Sequence, residues 1–306
     1  MLERPSDFFT PDEIDFLRTP NDGRVRLSII HCWAIIGGTW VVVALWTNPL
    51  AIVMGVVIIG ARQLGLAVLS HDGAHFTLFT NRALNDWASE WLLSRPLTGG
   101  SIHAYRKYHL QHHAYTQQEE DPDLHLSQPF PISSQSFKRK VVRDLTGQTG
   151  WKQYGSTIKN AFAGDTWVTA ARLGLHKLGP NILIDLVFLL GFSLAGVWYL
   201  YFVLWWLPAL TWNRFITRIR NIGEHAAVPD DDDRLHNTRT IEAGWWERAS
   251  IAPYGVNFHL EHHLIVNCPY YKLCSAHEML LAKGLRGRME VQSDYASMLR
   301  VAVPVS

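Results

Sequence analysis

The sequence predicts an all-α integral membrane protein with four transmembrane helices. Three long runs support this fold class: 27–46 and 186–213 carry no charged side chain, and 50–70 carries only Arg62. A helix needs about 20 residues, at a rise of about 1.5 Å each, to cross the hydrocarbon core of a bilayer. Each run is long enough to span a membrane, although the average composition, 48% hydrophobic, does not reveal it.

The first two spans are expected at about 27–46 and 50–70. The residues between them, Trp46-Thr47-Asn48-Pro49, favour a turn. The two helices should therefore form a hairpin that crosses the membrane and returns.

The third apolar tract must supply either one span or two. The segment 180–216 has 37 residues, which is too long for one crossing and just enough for two. A break near Gly196 would give spans at 180–196 and 197–216. The length alone is only marginal support for two spans rather than one.

The placement of positive charge supports an even number of crossings. Arginines precede the first span and follow the last, and the two expected turns have none: Arg18, Arg24 and Arg26, then Arg214, Arg218 and Arg220. Cytoplasmic loops are enriched in Lys and Arg, so both termini are expected in the cytoplasm. The chain then divides into an N-terminal cytoplasmic segment (1–26), a membrane domain (27–280) and a cytoplasmic tail (281–306).

Composition excludes several classes of protein. With 28 Lys and Arg against 27 Asp and Glu, the net charge of +1 provides no basic face, so we expect no nucleic-acid partner. Three cysteines without a C-x-x-C motif exclude a disulfide framework, a zinc ribbon and a cysteine-ligated iron–sulfur cluster. The first 26 residues lack the pattern of a signal peptide.

Histidines are concentrated in three short motifs. These are H-D-G-A-H at His71–His75, H-L-Q-H-H at His109–His113 and H-L-E-H-H at His259–His263. About 0.7 histidines would fall in these fifteen positions by chance, and eight do. Surface or core histidines do not explain this concentration, so we interpret the motifs as metal ligands.

The spacing within each motif fits a helix that presents histidines to metal ions. Residues three and four apart share a helix face, so His71 and His75 can reach one centre. Adjacent residues such as His112 and His113 diverge by about 100°, which suits two neighbouring ions. The same holds for His262 and His263. Imidazoles suit iron, copper, zinc or nickel, and eight or nine exceed the capacity of one ion, so we expect a dinuclear centre.

The order of the motifs also bears on topology. The first two follow the second span, and the third follows the segment 180–216. Only an even number of crossings in that segment brings all three to one side of the membrane. The metal site and the charge distribution therefore predict the same four spans.

The three motifs, together with the spans, resemble the membrane-bound fatty acid desaturase and hydroxylase superfamily over roughly residues 27–280. The resemblance implies four transmembrane helices under a cytoplasmic helical cap that holds two iron ions, and oxygen-dependent attack on an unactivated C–H bond. Family members also carry an N-x-x-x-H element, which Asn221–His225 matches. By this resemblance His225 is a ninth histidine ligand and Asn221 holds a metal-bound water.

Further features narrow the subgroup. The third motif starts with His259, where front-end desaturases usually have Gln, so that branch is discounted. No H-P-G-G haem-binding segment occurs, so a separate donor, a ferredoxin or a cytochrome b5 type with its reductase, should supply electrons. Gly60–Gln63, Asn237–Thr240 and Tyr254–Phe258 look like short bacterial members. The expected location is the bacterial inner membrane, among membrane lipids.

The leading functional hypothesis is a diiron desaturase that uses O2 to introduce a double bond into the acyl chain of a lipid. The same ligands could serve a hydroxylase or ketolase of a carotenoid, another terpenoid or a specialised metabolite. A membrane metal transporter or sensor is a remote alternative, because its ionisable residues would lie inside the spans whereas the three motifs lie outside them.

Several weaker features of the sequence each have two interpretations. Arg62 and Gln63 inside the second span indicate either a function or snorkelling to the interface. The acidic residues of 119–123 either accept hydrogen bonds from ligand histidines or form a solvated loop. Two basic clusters could bind an acidic electron donor or lipid headgroups: Lys138, Arg139, Lys140 and Arg143, and Lys283, Arg286 and Arg288.

Overall fold

The computed structural model describes residues 4–97, 100–229 and 232–304, and this part is mainly helical. Its α-helices are α1 (Pro5–Phe8), α2 (Pro11–Arg18), α3 (Asp22–Leu45), α4 (Pro49–Ala74), α5 (Arg82–Ala88), α6 (Ile102–Ala114), α7 (Leu124–Ser127), α8 (Ser134–Leu145), α9 (Gln148–Ala161), α10 (Trp167–Leu194), α11 (Tyr199–Tyr201), α12 (Leu207–Leu210), α13 (Trp212–His225), α14 (Trp245–Ser250), α15 (His259–Leu264), α16 (Leu273–Ala282) and α17 (Tyr295–Ala302). Two π-helical segments cover Ser89–Ser94 and Phe202–Trp206, and 3-10 segments cover Arg95–Leu97, Pro253–Gly255, Tyr270–Lys272 and Leu285–Arg288. Two short strands, β1 (Thr240–Ile241) and β2 (Val291–Gln292), pair in parallel.

Three helices of the described chain, α3, α4 and α10, are long and apolar enough to cross a membrane. The turn expected between the first two is present, because α3 ends at Leu45 and α4 begins at Pro49. Asn48 caps α4 by accepting a hydrogen bond from the Ala51 amide at 3.0 Å. Pro49 occupies the first helical position, where the missing N–H costs nothing.

The third long helix differs from the predicted span 180–196 at its start. Thr166 caps α10 by accepting from the Thr169 amide at 3.2 Å, so the helix begins at Trp167 and contains Pro180 in its interior. Its end agrees with the expected break, since α10 stops at Leu194 and Gly196 adopts a φ of +76°. Glycine tolerates this left-handed conformation, which a side chain disfavours.

The predicted fourth span, 197–216, is not one regular helix. It consists of α11, a π-helical segment, α12 and the start of α13, and Thr211 between α12 and α13 has non-helical angles of φ −119° and ψ −89°. Within this segment the Trp205 carbonyl accepts a hydrogen bond from Gln63 Nε2 at 2.8 Å. Side chains commonly satisfy backbone groups freed by such irregularities. Because no single long helix covers 197–216, the fourth crossing remains a prediction.

Helix α4 is the central element of the described fold, because more than half of its most apolar stretch is buried. Helix α13 packs closely on it, because a Cβ on Gly60 would lie 2.8 Å from Trp212 Cδ1. Asn213 Nδ2 also donates to the Gly60 carbonyl at 3.1 Å. Arg62 Nη2 donates to the Ala249 carbonyl in the last turn of α14 at 2.5 Å, so this guanidinium has an acceptor within the protein.

The polar segments at both ends fold against the histidine-bearing helices. Phe8 and Leu17, from α1 and α2, share one apolar cluster with Leu264 at the end of α15. Tyr295 and Met298 of α17 share another with helix α13. The segments before the first long helix and after residue 280 are thus packed parts of the unit that carries the histidines.

Candidate metal centre

The first histidine motif lies at the end of α4. His71 occupies its last turns, and His75 is the residue that caps it. Arg106 of α6 satisfies the terminal carbonyl groups: Nε donates to Ala74 and Nη2 to Gly73, both at 2.9 Å. Cations near a helix C-terminus also interact favourably with its dipole. This role of Arg106 could not be predicted from the sequence, because the contact joins two separate helices.

The second and third motifs lie on α6 and α15, and His225 is the last residue of α13. Their adjacent histidines diverge as the helical geometry predicts. His113 and His262 point to one side of the centre, whereas His112 and His263 point to the other. The two members of each pair therefore face different groups.

All nine predicted histidine ligands come together in two groups. Within each group the nearest ring nitrogens lie within 4.8 Å of one another: the first contains His71, His75, His109, His113 and His262, and the second contains His112, His225, His259 and His263. Seven of the nine residues are buried, with an exposed fraction of 7% or less, and the other two, His113 and His225, are half-buried. The remaining histidines of the described chain lie in neither group.

The spacing of the ring nitrogens fits two metal ions. Neighbouring Nε2 atoms are separated by 2.8 to 3.1 Å in five pairs: His75–His109, His109–His113, His113–His262, His225–His259 and His259–His263. Two imidazole nitrogens bound at about 2.1 Å to one ion, at right angles, are about 3.0 Å apart. Both ring nitrogens of His71 are buried without a hydrogen-bond partner in the described chain. A cation in each group would satisfy these converging lone pairs.

Burial favours the neutral form of six of these histidines, which is the form that metal ligation requires. It lowers the pKa of His109, His113 and His262 well below its usual value, and neighbouring histidines lower it further. The pKa of His225, His259 and His263 is lowered in the same way. Neutral imidazole offers a lone pair to a metal, whereas imidazolium does not.

Hydrogen bonds fix the tautomer of two histidines in the second group. The Asp121 carboxylate accepts from His112 Nδ1 at 2.8 Å, which leaves the Nε2 lone pair free. Thr116 Oγ1 donates to the His112 carbonyl at 2.9 Å, so its oxygen accepts from His263 Nδ1 at 3.1 Å. Of the acidic loop, Asp121 is therefore the buried partner of a histidine, whereas Glu119 and Glu120 are exposed.

Other contacts that position the third motif were not predicted from the sequence. Glu261, fully buried between His259 and His262, accepts from the Thr240 hydroxyl and from His277 Nδ1, the latter at 2.6 Å. Thr240 belongs to β1 and His277 to α16, so the tertiary fold brings these partners together. The position of Glu261 between two ligand histidines indicated a role at the site, but the sequence did not indicate which residues it contacts.

A cavity of about 510 Å³ adjoins both groups, and we call it the histidine cavity. Its wall includes His71 and His109 of the first group and His112, His225 and His259 of the second. Asn221, predicted to hold a metal-bound water, also lines this cavity one helical turn before His225. Its position suits that role, which stays a prediction.

The comparisons with known proteins agree with this arrangement. The fatty acid desaturase family matches residues 47–293, a range that contains all nine predicted histidine ligands. The dihydrorhizobitoxine desaturase of Bradyrhizobium elkanii is similar, with 27% identity over 250 residues that cover 78% of this chain and 68% of the relative. The resemblance inferred from the three histidine motifs is confirmed, and it indicates an oxidoreductase associated with membranes. The chain belongs to the fatty acid desaturase family.

Proposed function

We propose that this protein is a multi-pass membrane desaturase that uses O2 and two iron ions to introduce a double bond into the acyl chain of a lipid. The observation that carries the proposal is the convergence of nine histidines into two adjacent groups on the wall of one cavity. A mononuclear site would use only part of this set.

The overall reaction balances with a paired electron donor. A –CH2–CH2– segment loses two hydrogen atoms and becomes –CH=CH–, while O2, two electrons and two protons join those hydrogens to form two molecules of water. The two irons, when bound, supply the oxidant that attacks the C–H bond. Hydroxylation would consume the same reductant and return one oxygen atom to the substrate.

The residues of this chain hold and orient the centre. Asp121 and Thr116 fix the ring orientation of His112 and His263 through their Nδ1 atoms. Glu224 Oε1 lies 3.6 Å from His259 Nδ1, close enough to attract its N–H. Such partners raise the basicity of ligand histidines and restrict their rotation. The adjoining cavity supplies space for the carbon chain beside both groups.

Of the two basic clusters, the first is the better candidate for a donor surface. Lys138, Arg139 and Arg143 of α8 are exposed, and in the described chain none of them forms an ion pair. In the second cluster, Lys283 bonds to Glu13 and Arg286 to Glu242, so acidic neighbours already compensate those charges. An acidic ferredoxin or cytochrome b5 would complement the α8 surface.

Product analysis tests the proposal. The chain and its His112→Ala variant are expressed in a lipid-producing host, with and without a co-expressed carotenoid pathway. We expect new unsaturated acyl chains with the unchanged chain and none with the variant. A hydroxylated or keto carotenoid with unchanged acyl lipids would contradict the substrate assignment and favour the terpenoid alternative.

A further inference from the structure

A second cavity adjoins the histidine cavity and has an unusual balance of charge. It has a volume of about 340 Å³, and we call it the arginine cavity because Arg214 and Arg220 line it. Both cavities share Ala67, Tyr105 and Thr217 as well as Arg220, so they meet along these residues. No aspartate or glutamate belongs to the described wall of the arginine cavity.

Neither arginine has its hydrogen-bonding capacity filled by carboxylates within the described chain. Arg214 bonds to neutral oxygens, of Ala209 at 2.9 Å and of Gln153 at 2.8 Å. Arg220 donates from Nε to Glu224 at 2.5 Å, so a carboxylate already compensates its charge, although its two Nη groups have no hydrogen-bond partner among the described residues. Arg214 pairs with no carboxylate of the described chain, and a guanidinium beside an apolar space is costly unless an anion accompanies it.

The rest of the wall suits a carbon skeleton. Leu64, Trp205 and Ala209 provide apolar surface, and Thr217 lies between the two arginines on the same face of α13. Along the axis of this helix, at about 1.5 Å per residue, His225 is about 7.5 Å from Arg220 and about 16.5 Å from Arg214. A group bound by Arg220 is therefore close to the histidine groups, whereas one bound by Arg214 lies about 9 Å further along the helix.

We propose that the arginine cavity binds an anionic oxygen group of the substrate, a carboxylate or a phosphate, while the adjoining carbon chain lies in the histidine cavity. The planar guanidinium matches both anions with paired hydrogen bonds. This inference rests on the proposed oxidase function and specifies its substrate class. The oxidised C–H bonds are then those near the anionic end of the molecule.

Ligand binding to the iron-loaded protein under anaerobic conditions tests the inference without turnover. The probes share an eight-carbon chain and differ in the head: octanoate, octyl phosphate, octanamide and octylammonium. We expect one of the two anions to bind about tenfold more tightly than the amide, the gain typical of a charge-assisted hydrogen bond. The tighter of the two anions identifies the carboxylate or the phosphate as the source.

Variants separate the cavity from general surface charge. Arg214→Gln should remove most of the preference for the anion. Arg214→Lys keeps the positive charge and should retain part of the preference, and that result would show that the site still folds after a change at this position. Arg248→Gln makes the same charge change at an exposed position of α14 and should leave the preference unchanged.

Equal binding of amide and anion, tightest binding of the ammonium, no binding by any probe, or an unchanged preference in Arg214→Gln would each overturn the inference. A preserved anion preference in a protein that oxidises no substrate would leave the inference standing and refute the proposed function instead.

Discussion

His112 Nδ1 donates a hydrogen bond to the buried Asp121 carboxylate at 2.8 Å, so that its Nε2 faces the second histidine group. Asp121 is itself held in place, because it accepts from the backbone amides of Asp123 at 2.8 Å and Gln117 at 3.0 Å. One carboxylate thus ties the loop after α6 to the orientation of a predicted ligand.

Replacing Asp121 with Ala should lower metal affinity by about 10- to 100-fold, the usual loss when a partner of a ligand histidine is removed. Metal titration of the purified protein measures this change. Glu120→Gln is the matched control, since it removes a charge from an exposed position of the same loop. Equal metal affinity in Asp121→Ala and the control would show that Asp121 does not orient His112.

Gly73, between the two histidines of the first motif, is expected to tolerate no side chain. A Cβ there would lie 1.9 Å from Ser89 Oγ, which is fully buried in the neighbouring π-helical segment. Gly73→Ala should therefore destabilise the fold by about 1–3 kcal/mol through overpacking. Thermal unfolding in detergent measures this loss.

Gly37 of α3 provides the comparison, because a Cβ there would meet nothing within 4 Å. Gly37→Ala should leave stability unchanged or raise it slightly, since alanine favours helix more than glycine does. A melting temperature for Gly73→Ala as high as that for Gly37→Ala would contradict the close approach of α4 and the π-helical segment.

Reversing the charge of Lys138, Arg139 and Lys140 to Glu should slow donor-driven turnover, most strongly at low ionic strength where electrostatic steering is least screened. Stopped-flow reduction by an acidic ferredoxin or cytochrome b5, with iron content as a check on the centre, gives the measurement. Arg286→Glu is the control, because Glu242 already pairs with that residue. Unchanged reduction rates at low salt would place electron entry elsewhere.

Four crossings predict that the two chain ends share one side of the membrane. Cysteines introduced at exposed Thr10 and Val301 should react with an impermeant reagent only from the cytoplasm, in a chain with exposed Cys274 changed to Ser. Cysteines at Thr47 and Trp198 should react only from the opposite side. Labelling of Thr10→Cys and Val301→Cys from different sides would mean an odd number of crossings.

The sequence sufficed for features that repeat along one helix. Spacing of three and four residues predicted that His109 and His113 act together, and adjacency predicted that His112 diverges from His113. The turn before Pro49 was likewise local. These predictions depend on helix geometry, which the order of residues determines directly.

Long-range contacts could not be read in the same way. Nothing in the chain order distinguishes Asp121, which reaches His112, from exposed Glu120, and the partners of Glu261 come from distant elements. Hydropathy over 197–216 also reports composition alone, so it could not reveal the π-helical turn or the break at Thr211. Hydropathy also could not reveal that α10 begins at Trp167, well before Pro180, where Thr166 caps the helix.

The metal content of the purified protein tests the central claim most directly. Protein from iron-replete cells, purified anaerobically and analysed by elemental analysis, should contain about two irons per chain, because nine histidines form two groups. His225→Ala should lower that content, whereas His236→Ala, outside both groups, should not. One zinc per chain and no iron would contradict the account.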